Sequence, residues 1–276
     1  MSSVILATAI VGVAGLVIGL FLCFFSEKFK VAVDEREEAV RAELPGNNCG
    51  GCGYAGCDGL AAAIAKGEAE VSACPVGGDA VTAAIAAIMG VEAGTGVRMI
   101  AHVNCAGTCD VAKEGYEYSG PKDCLLASMA PGGGPKACSY GCLGFGNCVK
   151  ACPFDAIHVV DGIAVVDKEA CKACGKCVAA CPKNLIELIP ETAGQVVDCS
   201  SKDKGKDVMQ ACSVGCIGCG LCVKACEFDA VTVTDNVAHI NQEKCTHCGA
   251  CVSKCPKKII HVQGEEDESE NKTGDV

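Results

Sequence analysis

Cysteine thiols are the side chains in this sequence that could do chemistry. The 276 residues include 26 cysteines, most of them in tight C-x-x-C runs rather than in widely spaced pairs. Cysteines at this spacing chelate a metal or an inorganic cluster more readily than they join distant loops as disulfides. Two runs, at residues 171–181 and 245–255, read C-x2-C-x2-C-x3-C-P. In that pattern three closely spaced thiolates hold one [4Fe–4S] cluster, and the fourth cysteine reaches the neighbouring cluster.

The two runs belong to an internal duplication. Cys152 recurs 74 positions later as Cys226, the runs share this offset, and three upstream cysteines share it as well. A register that holds across so many cysteines indicates two copies of one unit. Each copy also has a hairpin pattern just before its run, after Cys152 in the first copy and after Cys226 in the second. The pattern turns at Asp-Gly in the first copy and at Asp-Asn in the second. We therefore predict two tandem bacterial dicluster ferredoxin-like modules, at residues 137–190 and 212–263.

The repeated spacing assigns three complete sets of [4Fe–4S] ligands. Each set combines three cysteines spaced three residues apart with a fourth cysteine that lies elsewhere in the same copy. The three sets are Cys216, Cys219, Cys222 and Cys255; Cys226, Cys245, Cys248 and Cys251; and Cys152, Cys171, Cys174 and Cys177.

One position breaks the pattern. Phe145 stands where the second copy has a cysteine, so Cys142 and Cys148 lack a middle partner. We predict that Cys138 replaces it and completes a [4Fe–4S] site with Cys142, Cys148 and Cys181. The alternative is a [3Fe–4S] cluster on Cys142, Cys148 and Cys181. Other cysteines could form a further cluster or be free thiols: Cys105, Cys109, Cys124, Cys199 and Cys212, of which Cys212 matches Cys138 and Cys199 roughly matches Cys124.

A separate cysteine-rich segment precedes the duplication. Residues 49–57 read C-G-G-C-G-Y-A-G-C, and a Cys-Pro pair follows at residues 74–75. Glycine backbones let thiolates converge on one cluster, and an alanine-rich helix after the loop would bring the last cysteine back to it. We predict a small α-rich domain at residues 47–95 with a single [4Fe–4S] cluster, zinc being the alternative metal. Its expected ligands are Cys49, Cys52, Cys57 and Cys74.

The N-terminal residues are strongly apolar. Residues 1–26 carry no charged side chain, and residues 4–25 are almost continuously apolar. Twenty-two helical residues would cover roughly 33 Å, enough to cross a bilayer. We therefore predict a transmembrane anchor at residues 1–26. Lys28 and Lys30 would place the bulk of a single-pass protein on the cytoplasmic side of the cytoplasmic membrane, where thiols stay reduced.

The expected fold class is α+β: a transmembrane helix, a small single-cluster domain and two dicluster modules. Between these parts we expect a polar linker at 27–46, a cysteine-containing linker at 96–136 and a linker at 191–211. The acidic residues 264–276 read as a disordered tail. With about five clusters, the inorganic groups would organise small domains that have few large side chains of their own.

Charge and motifs exclude several functions. The net charge is −11 and the pI about 4.9, which argues against a nucleic-acid partner. The chain has no G-x-G-x-x-G dinucleotide fingerprint after a strand and no arrangement of acid, base and nucleophile. We expect no catalytic residue and no active site of its own.

The order of these parts resembles the B subunit of the Rnf complex, the ion-translocating ferredoxin:NAD⁺ oxidoreductase of bacteria and some archaea. The resemblance rests on the uncharged N-terminal segment, the N-N-C-G-G-C-G-Y-A-G-C loop with its C-P-V-G-G sequence, and the dicluster modules. It implies a protein that relays electrons from reduced cytoplasmic ferredoxin into a membrane complex, with the NAD⁺ and flavin chemistry on other subunits. Its partners would be the other membrane and peripheral subunits and soluble ferredoxin.

Lysines beside the cysteine runs could provide a positive docking surface for ferredoxin. We expect that surface on the first copy, around Lys172 and Lys176. Two other functions remain open from the sequence. The chain could be the electron-relay subunit of a different membrane redox complex, such as a ferredoxin-linked hydrogenase, or a zinc-binding structural scaffold.

Overall fold

The chain forms a small helical unit followed by two copies of a ferredoxin-like unit, each with its own apolar core. The computed structural model describes residues 12–13, 15–25, 34–94 and 97–263. The largest fully buried apolar side chains divide among the three cores: Leu60, Ile64 and Ile85 in the helical unit; Ile100, Ile157 and Leu185 in the first copy; and Ile259 and Ile260 in the second.

The helical unit contains three helices, Glu35–Glu43, Cys57–Ala65 and Gly78–Met89. The first begins at an Asp34 cap, whose side chain accepts a hydrogen bond from the Arg36 N–H at 2.9 Å. Its Val40 is fully buried in the core of the unit. The segment predicted as a polar linker at 27–46 therefore contributes a packed helix.

The first copy contains four strands: β1 (Met99–Val103), β2 (Ile157–Val160), β3 (Ile163–Val166) and β4 (Ile186–Pro190). Strands β2 and β3 form an antiparallel hairpin, and its turn residues Asp161 and Gly162 both have positive φ. Strand β1 pairs with β4. Its helices are Cys124–Ser128, Asn147–Ala151 and Lys176–Ala180.

The second copy repeats this arrangement with β5 (Gln195–Val197), β6 (Val231–Thr234), β7 (Val237–Ile240) and β8 (Ile260–Val262). Strands β6 and β7 form the hairpin, and β5 pairs with β8. Its helices are Gly205–Ala211, Leu221–Ala225 and Ala250–Lys254. The predicted linkers at 96–136 and 191–211 thus supply β1 and β5, which complete the two-stranded sheets of the modules.

The two copies differ in length between their first strand and their first cysteine run. Val103 of β1 pairs with Ile186, and Val197 of β5 pairs with Ile260. The second residues of these pairs are 74 positions apart, but the first residues are 94 apart. The first copy therefore contains a 20-residue insertion after β1, and the helix Cys124–Ser128 lies in the extra chain.

The structure corrects the prediction of a transmembrane helix. Among the residues that it describes, none of the helices combines the length and hydropathy that crossing a bilayer requires. The single-pass placement in the cytoplasmic membrane rested on that helix and is corrected with it. Residues 1–11, 14, 26–33, 95–96 and the predicted tail at 264–276 lie outside the described residues.

Candidate metal centres

Five cavities in the two ferredoxin-like copies are each lined by four cysteines, and their volumes are about 280–460 Å³. Three of them bring together the complete sets that the spacing assigns. We call these the first-copy outer site (Cys152, Cys171, Cys174, Cys177), the second-copy inner site (Cys216, Cys219, Cys222, Cys255) and the second-copy outer site (Cys226, Cys245, Cys248, Cys251).

The fourth cavity contains the set that Phe145 interrupts. We call it the first-copy inner site, and its four cysteines are Cys124, Cys142, Cys148 and Cys181. Cys138, which we predicted as the replacement ligand, does not line this cavity. The Phe145 ring instead stacks on Tyr118, with ring centroids 5.7 Å apart. The fourth cysteine of this cavity therefore comes from the insertion and not from the repeated run.

A network of polar groups holds Cys124 at this site. Asp123 caps the helix that begins at Cys124, because its carboxylate accepts a hydrogen bond from the Leu126 N–H at 3.0 Å. The Asn147 side chain accepts a hydrogen bond from the Cys124 N–H at 2.9 Å and donates one to the Asp123 carboxylate at 2.9 Å. Since Asn147 directly precedes Cys148, this network ties the insertion to the cysteine run.

The fifth cavity lies between the two copies. We call it the bridging site, and its cysteines are Cys105, Cys138, Cys199 and Cys212. Cys105 and Cys199 each follow the first strand of their copy by two residues, and Cys138 and Cys212 are 74 positions apart. The site thus takes an equivalent pair from each copy. Cys199 corresponds to Cys105 rather than to Cys124, because the insertion changes the offset to 94 in this part of the chain.

The bridging site is hydrogen-bonded directly to both inner sites. The Cys105 Sγ accepts the backbone N–H of Cys142 at 3.4 Å, and the Cys199 Sγ accepts that of Cys216 at 3.3 Å. Cys142 and Cys216 are equivalent residues of the two inner sites. On each side, a bridging-site sulfur therefore accepts a hydrogen bond directly from the backbone of an inner-site cysteine.

Cys109, the remaining cysteine of this region, lines none of the five cavities. It is exposed, and a Cβ built on Gly162 would lie 2.4 Å from its Sγ. Its N–H donates to the Asp161 carbonyl at 2.8 Å. Cys109 therefore packs on the hairpin turn of the first copy.

The sites combine apolar burial with backbone donors. Burial raises the pKa of the Cys148 thiol to about 12 and that of Cys199 to about 11. An apolar pocket disfavours a free thiolate, whereas coordination to iron neutralises it. Backbone N–H groups donate to the Sγ atoms of Cys152, Cys171 and Cys181 at 3.4, 3.4 and 3.5 Å. Such bonds stabilise coordinated thiolates and influence the reduction potential of the cluster that they hold.

Gln195 is a site residue that the sequence analysis missed. It is 2% exposed, and the Cys245 thiol donates to its Oε1 at 3.1 Å. A coordinated thiolate has no proton to donate, so the Gln195 amide must then present its NH₂ group to the sulfur of the second-copy outer site. A single glutamine within the predicted linker at 191–211 gave no signal of this contact.

The N-terminal site is built from the predicted loop. Cys57 is buried in the core of the helical unit, and Cys52 and Cys74 pack against that core. The Asn48 side chain accepts the Cys57 N–H at 2.8 Å, which fixes the start of its helix. Burial raises the pKa of Cys74, and the negative charges of Cys52 and Cys57 raise it further. Cys49 lies three residues before Cys52 on the same loop.

The N-terminal loop contacts the first-copy outer site. A Cβ built on Gly51 would lie 2.9 Å from the carbonyl oxygen of Cys174 and 3.0 Å from its Cα. Burial raises the pKa of Cys174, and the charge of Cys49 also contributes to the increase. Only a glycine allows the two backbones to approach this closely. The equivalent second-copy outer site exposes Cys248, and Phe228 at its edge is 47% exposed.

The donor sets fit iron–sulfur clusters better than single ions. Within residues 34–94 and 97–263, no three His, Cys, Asp or Glu side chains form a group that could hold a single metal ion. One zinc ion would draw four sulfurs to about 2.3 Å from a common centre. Four thiols around a larger cavity, with N–H groups aimed at sulfur, are the environment of a cubane cluster.

Comparisons with known proteins agree with these sites. Residues 44–76 match a family model described as an Fe–S cluster family, and residues 170–230 and 215–259 match the 4Fe–4S dicluster domain family. Both matches cover cysteine runs described above.

Similarity to individual proteins extends over nearly the whole chain. The B subunit of the Na⁺-translocating ferredoxin:NAD⁺ oxidoreductase complex of Acetobacterium woodii is 50% identical, over 94% of this chain and 78% of the relative. The B subunit of the ion-translocating oxidoreductase complex of Methanosarcina acetivorans is 43% identical, over 95% and 100%. The B subunit of the proton-translocating ferredoxin:NAD⁺ oxidoreductase complex of Clostridium ljungdahlii is 40% identical, over 94% and 93%.

Proposed function

The chain belongs to the family of B subunits of ion-translocating oxidoreductase complexes, the Rnf complexes, and from this we propose that its six four-cysteine sites form one continuous electron relay. The relatives confirm the resemblance seen in the sequence, and with the dicluster domains they make the chain an electron-transfer subunit of a redox enzyme complex. A [4Fe–4S] cluster bound at each site would supply a one-electron redox centre.

The observation that carries this proposal is the bridging site. Two equivalent cysteines from each copy line one cavity, and its sulfurs accept N–H groups from the neighbouring ligands Cys142 and Cys216. At the other end of the first copy, Gly51 brings the N-terminal loop against Cys174. The proposed order is N-terminal site, first-copy outer site, first-copy inner site, bridging site, second-copy inner site and second-copy outer site.

The residues around the sites hold the ligands and exclude water. Val103, Leu143 and Ile186 line the first-copy inner site, and Val214 and Ile259 line the bridging site. Apolar side chains lower the local dielectric, which strengthens the influence of nearby charges and N–H groups on each redox centre. The proposed cofactor content is six [4Fe–4S] clusters, one more than the approximately five expected from the spacing, with Cys124 and not Cys138 as the fourth ligand of the first-copy inner site.

The proposed partners are the other subunits of the complex and soluble ferredoxin, since two relatives are named as ferredoxin:NAD⁺ oxidoreductase subunits. We place ferredoxin docking at the second-copy outer site, where Cys248 and Phe228 are exposed. On the first copy, the Gly51 loop contacts Cys174 between Lys172 and Lys176, the surface that the sequence analysis favoured. The NAD⁺ chemistry would belong to other subunits, because this chain contains no dinucleotide fingerprint.

The iron and sulfide content of anaerobically purified protein tests the number and pairing of the sites. We expect about 24 iron atoms per chain, four for each of six sites. Cys138→Ala and Cys212→Ala should each lose between about one and about four, and the double variant should lose no more than about four, because both residues line the bridging site. A double variant that loses about eight iron atoms would assign the two cysteines to different clusters and contradict the relay.

A further inference from the structure

Lys136 is the only buried charged side chain among the residues described at 34–94 and 97–263. It is 9% exposed, and its ammonium group donates to the carbonyl oxygens of Gly107 at 2.6 Å and Gly162 at 3.0 Å. In the same part of the chain, no carboxylate lies within salt-bridge distance of it. Burying an ammonium group is unfavourable unless negative charge compensates it. The surroundings of Lys136 must therefore supply that charge.

Cysteine thiolates that coordinate a cluster would supply this negative charge. Lys136 lines the bridging site together with Cys105 and Cys138. The Cys105 Sγ also accepts the backbone N–H of Cys142 at 3.4 Å. One ammonium group thus lies beside a cysteine of the bridging site that is hydrogen-bonded directly to a cysteine of the first-copy inner site. A cluster held by four thiolates is negatively charged, and it gains one more negative charge on reduction.

The second copy has no equivalent cation. The position 74 residues after Lys136 is Gln210, which is uncharged and exposed. The other charged residue lining the bridging site is Asp198, whose carboxylate lies 2.8 Å from the His102 Nε2 and 3.7 Å from the His261 Nε2. Asp198 directly precedes Cys199, a bridging ligand from the second copy. The two copies therefore differ at this cavity: the positive charge lies on the first-copy side, and the carboxylate lies beside the second-copy ligand.

On the basis of the proposed relay, we propose that Lys136 raises the reduction potentials of the bridging site and the first-copy inner site above that of the second-copy inner site. A fixed positive charge stabilises the more negative, reduced form of a nearby centre. With clusters bound, each transfer would oxidise a second-copy cluster by one electron and reduce the bridging cluster by one electron, with no proton or bond exchanged. The Lys136 charge would in this way favour electron transfer from the second copy to the first.

A redox titration of the full chain, followed by EPR under anaerobic conditions, tests this role. Cys138→Ala and Cys124→Ala identify the signals of the bridging and first-copy inner sites. Lys136→Gln should keep its full iron content and make the reduction of these two sites at least tenfold less favourable, a shift of about 59 mV for one electron. Lys136→Arg keeps the charge and should restore the wild-type potentials. Lys150→Gln removes an exposed lysine near the cysteine ligands and should change the equilibrium constant for reduction of these two sites less than twofold.

A second variant keeps the test independent of whether the cavity tolerates a neutral residue at Lys136. Tyr140 lines the same cavity, so Tyr140→Lys adds a cation with Lys136 intact and should raise the potential of the bridging site. Unchanged potentials in Lys136→Gln or Tyr140→Lys at full iron content, or an equal shift at all sites, would overturn the proposal. About 20 iron atoms in the wild-type protein, without a bridging signal, would instead refute the relay itself.

Discussion

The two inner sites hold the same kind of ligand set on different parts of the chain. In the second copy, Cys219 lies within the cysteine run, three residues from each neighbouring ligand. In the first copy Phe145 occupies that position, and Cys124 reaches the cavity from the insertion. A cluster constrains where four sulfurs lie in space, but not the route of the chain that carries them. A duplicated module can therefore lose a ligand from its run and keep its site.

The two outer sites share their ligand spacing but differ in what covers them. The N-terminal loop lies on the first-copy outer site at Gly51, whereas the second-copy outer site exposes Cys248. Cysteine runs of identical spacing thus form one site that is covered by another part of the chain and one site that is exposed at the surface. The difference comes from the surroundings of the runs, since the runs themselves are equivalent.

The largest effect is expected at the substituted inner site. Cys124→Ala should lose one [4Fe–4S] cluster, because the remaining cysteines Cys142, Cys148 and Cys181 can hold at most a three-iron cluster. Iron analysis and EPR would show between about one and about four iron atoms lost. Adding Phe145→Cys to this variant restores the run of the second copy and should recover the lost cluster. Full iron and an unchanged spectrum in Cys124→Ala would show that another residue is the ligand.

A smaller effect is expected at the covered outer site. Gly51→Val places side-chain atoms where the Cys174 backbone lies, so the N-terminal loop must move away. Electron transfer between the N-terminal and first-copy outer sites should slow on the order of tenfold at full iron content, as is typical of a small misplacement of reacting centres. Rapid-freeze EPR after partial reduction measures this rate.

Gly59→Ala is the matched control for that change, because its added Cβ would make an ordinary 3.8 Å contact with the Tyr54 Cβ. It should transfer electrons at the wild-type rate. Equal rates in Gly51→Val and Gly59→Ala would mean that electrons do not pass through the Gly51 contact.

The smallest effect concerns docking at the exposed outer site. Lys244 and Lys254 are exposed; Lys244 directly precedes Cys245, and Lys254 lies three residues after Cys251 on the helix Ala250–Lys254. Reversing both lysines to Glu should slow reduction by ferredoxin several-fold, and more at low salt than at high salt. Stopped-flow mixing measures this, with dithionite as a reductant that needs no docking surface.

The matched control reverses Lys172 and Lys176 on the first copy, where the N-terminal loop lies. This pair should leave the ferredoxin rate nearly unchanged. A stronger effect from Lys172 and Lys176 than from the second-copy pair would return the docking surface to the first copy.

Several features could be predicted from the sequence because they depend on neighbouring residues. The turn at Asp161 and Gly162 follows from residues that adopt positive φ, and the structure has a hairpin there. The three complete ligand sets follow from a spacing that repeats within each copy, and the structure brings them together. The family was also evident in the sequence, because the N-terminal loop and the duplicated runs are specific in their order.

Hydropathy was a weaker guide. A run of apolar residues at 4–25 predicted a helix across a membrane, and among the described residues no helix has the necessary length and hydropathy. Hydropathy measures only the transfer free energy of the side chains, which does not by itself establish a helix that crosses a membrane.

By itself the sequence determined the duplication, the iron–sulfur character of the domains and the groups of cysteines that lie within one register. Only the tertiary structure placed Cys124, and not Cys138, in the first-copy inner cavity, and only it brought the four cysteines of the bridging cavity together. The physical reason is that Cys105 and Cys199 are 94 residues apart and line one cavity because the two copies pack together there, where the Ala106 N–H donates to the Asp198 carbonyl at 2.9 Å and the Ser200 hydroxyl donates to the Asn104 carbonyl at 3.1 Å. An insertion in one copy removes the common offset, so spacing no longer reports which sulfurs share a cavity. Strand pairing and packing restore that information in space.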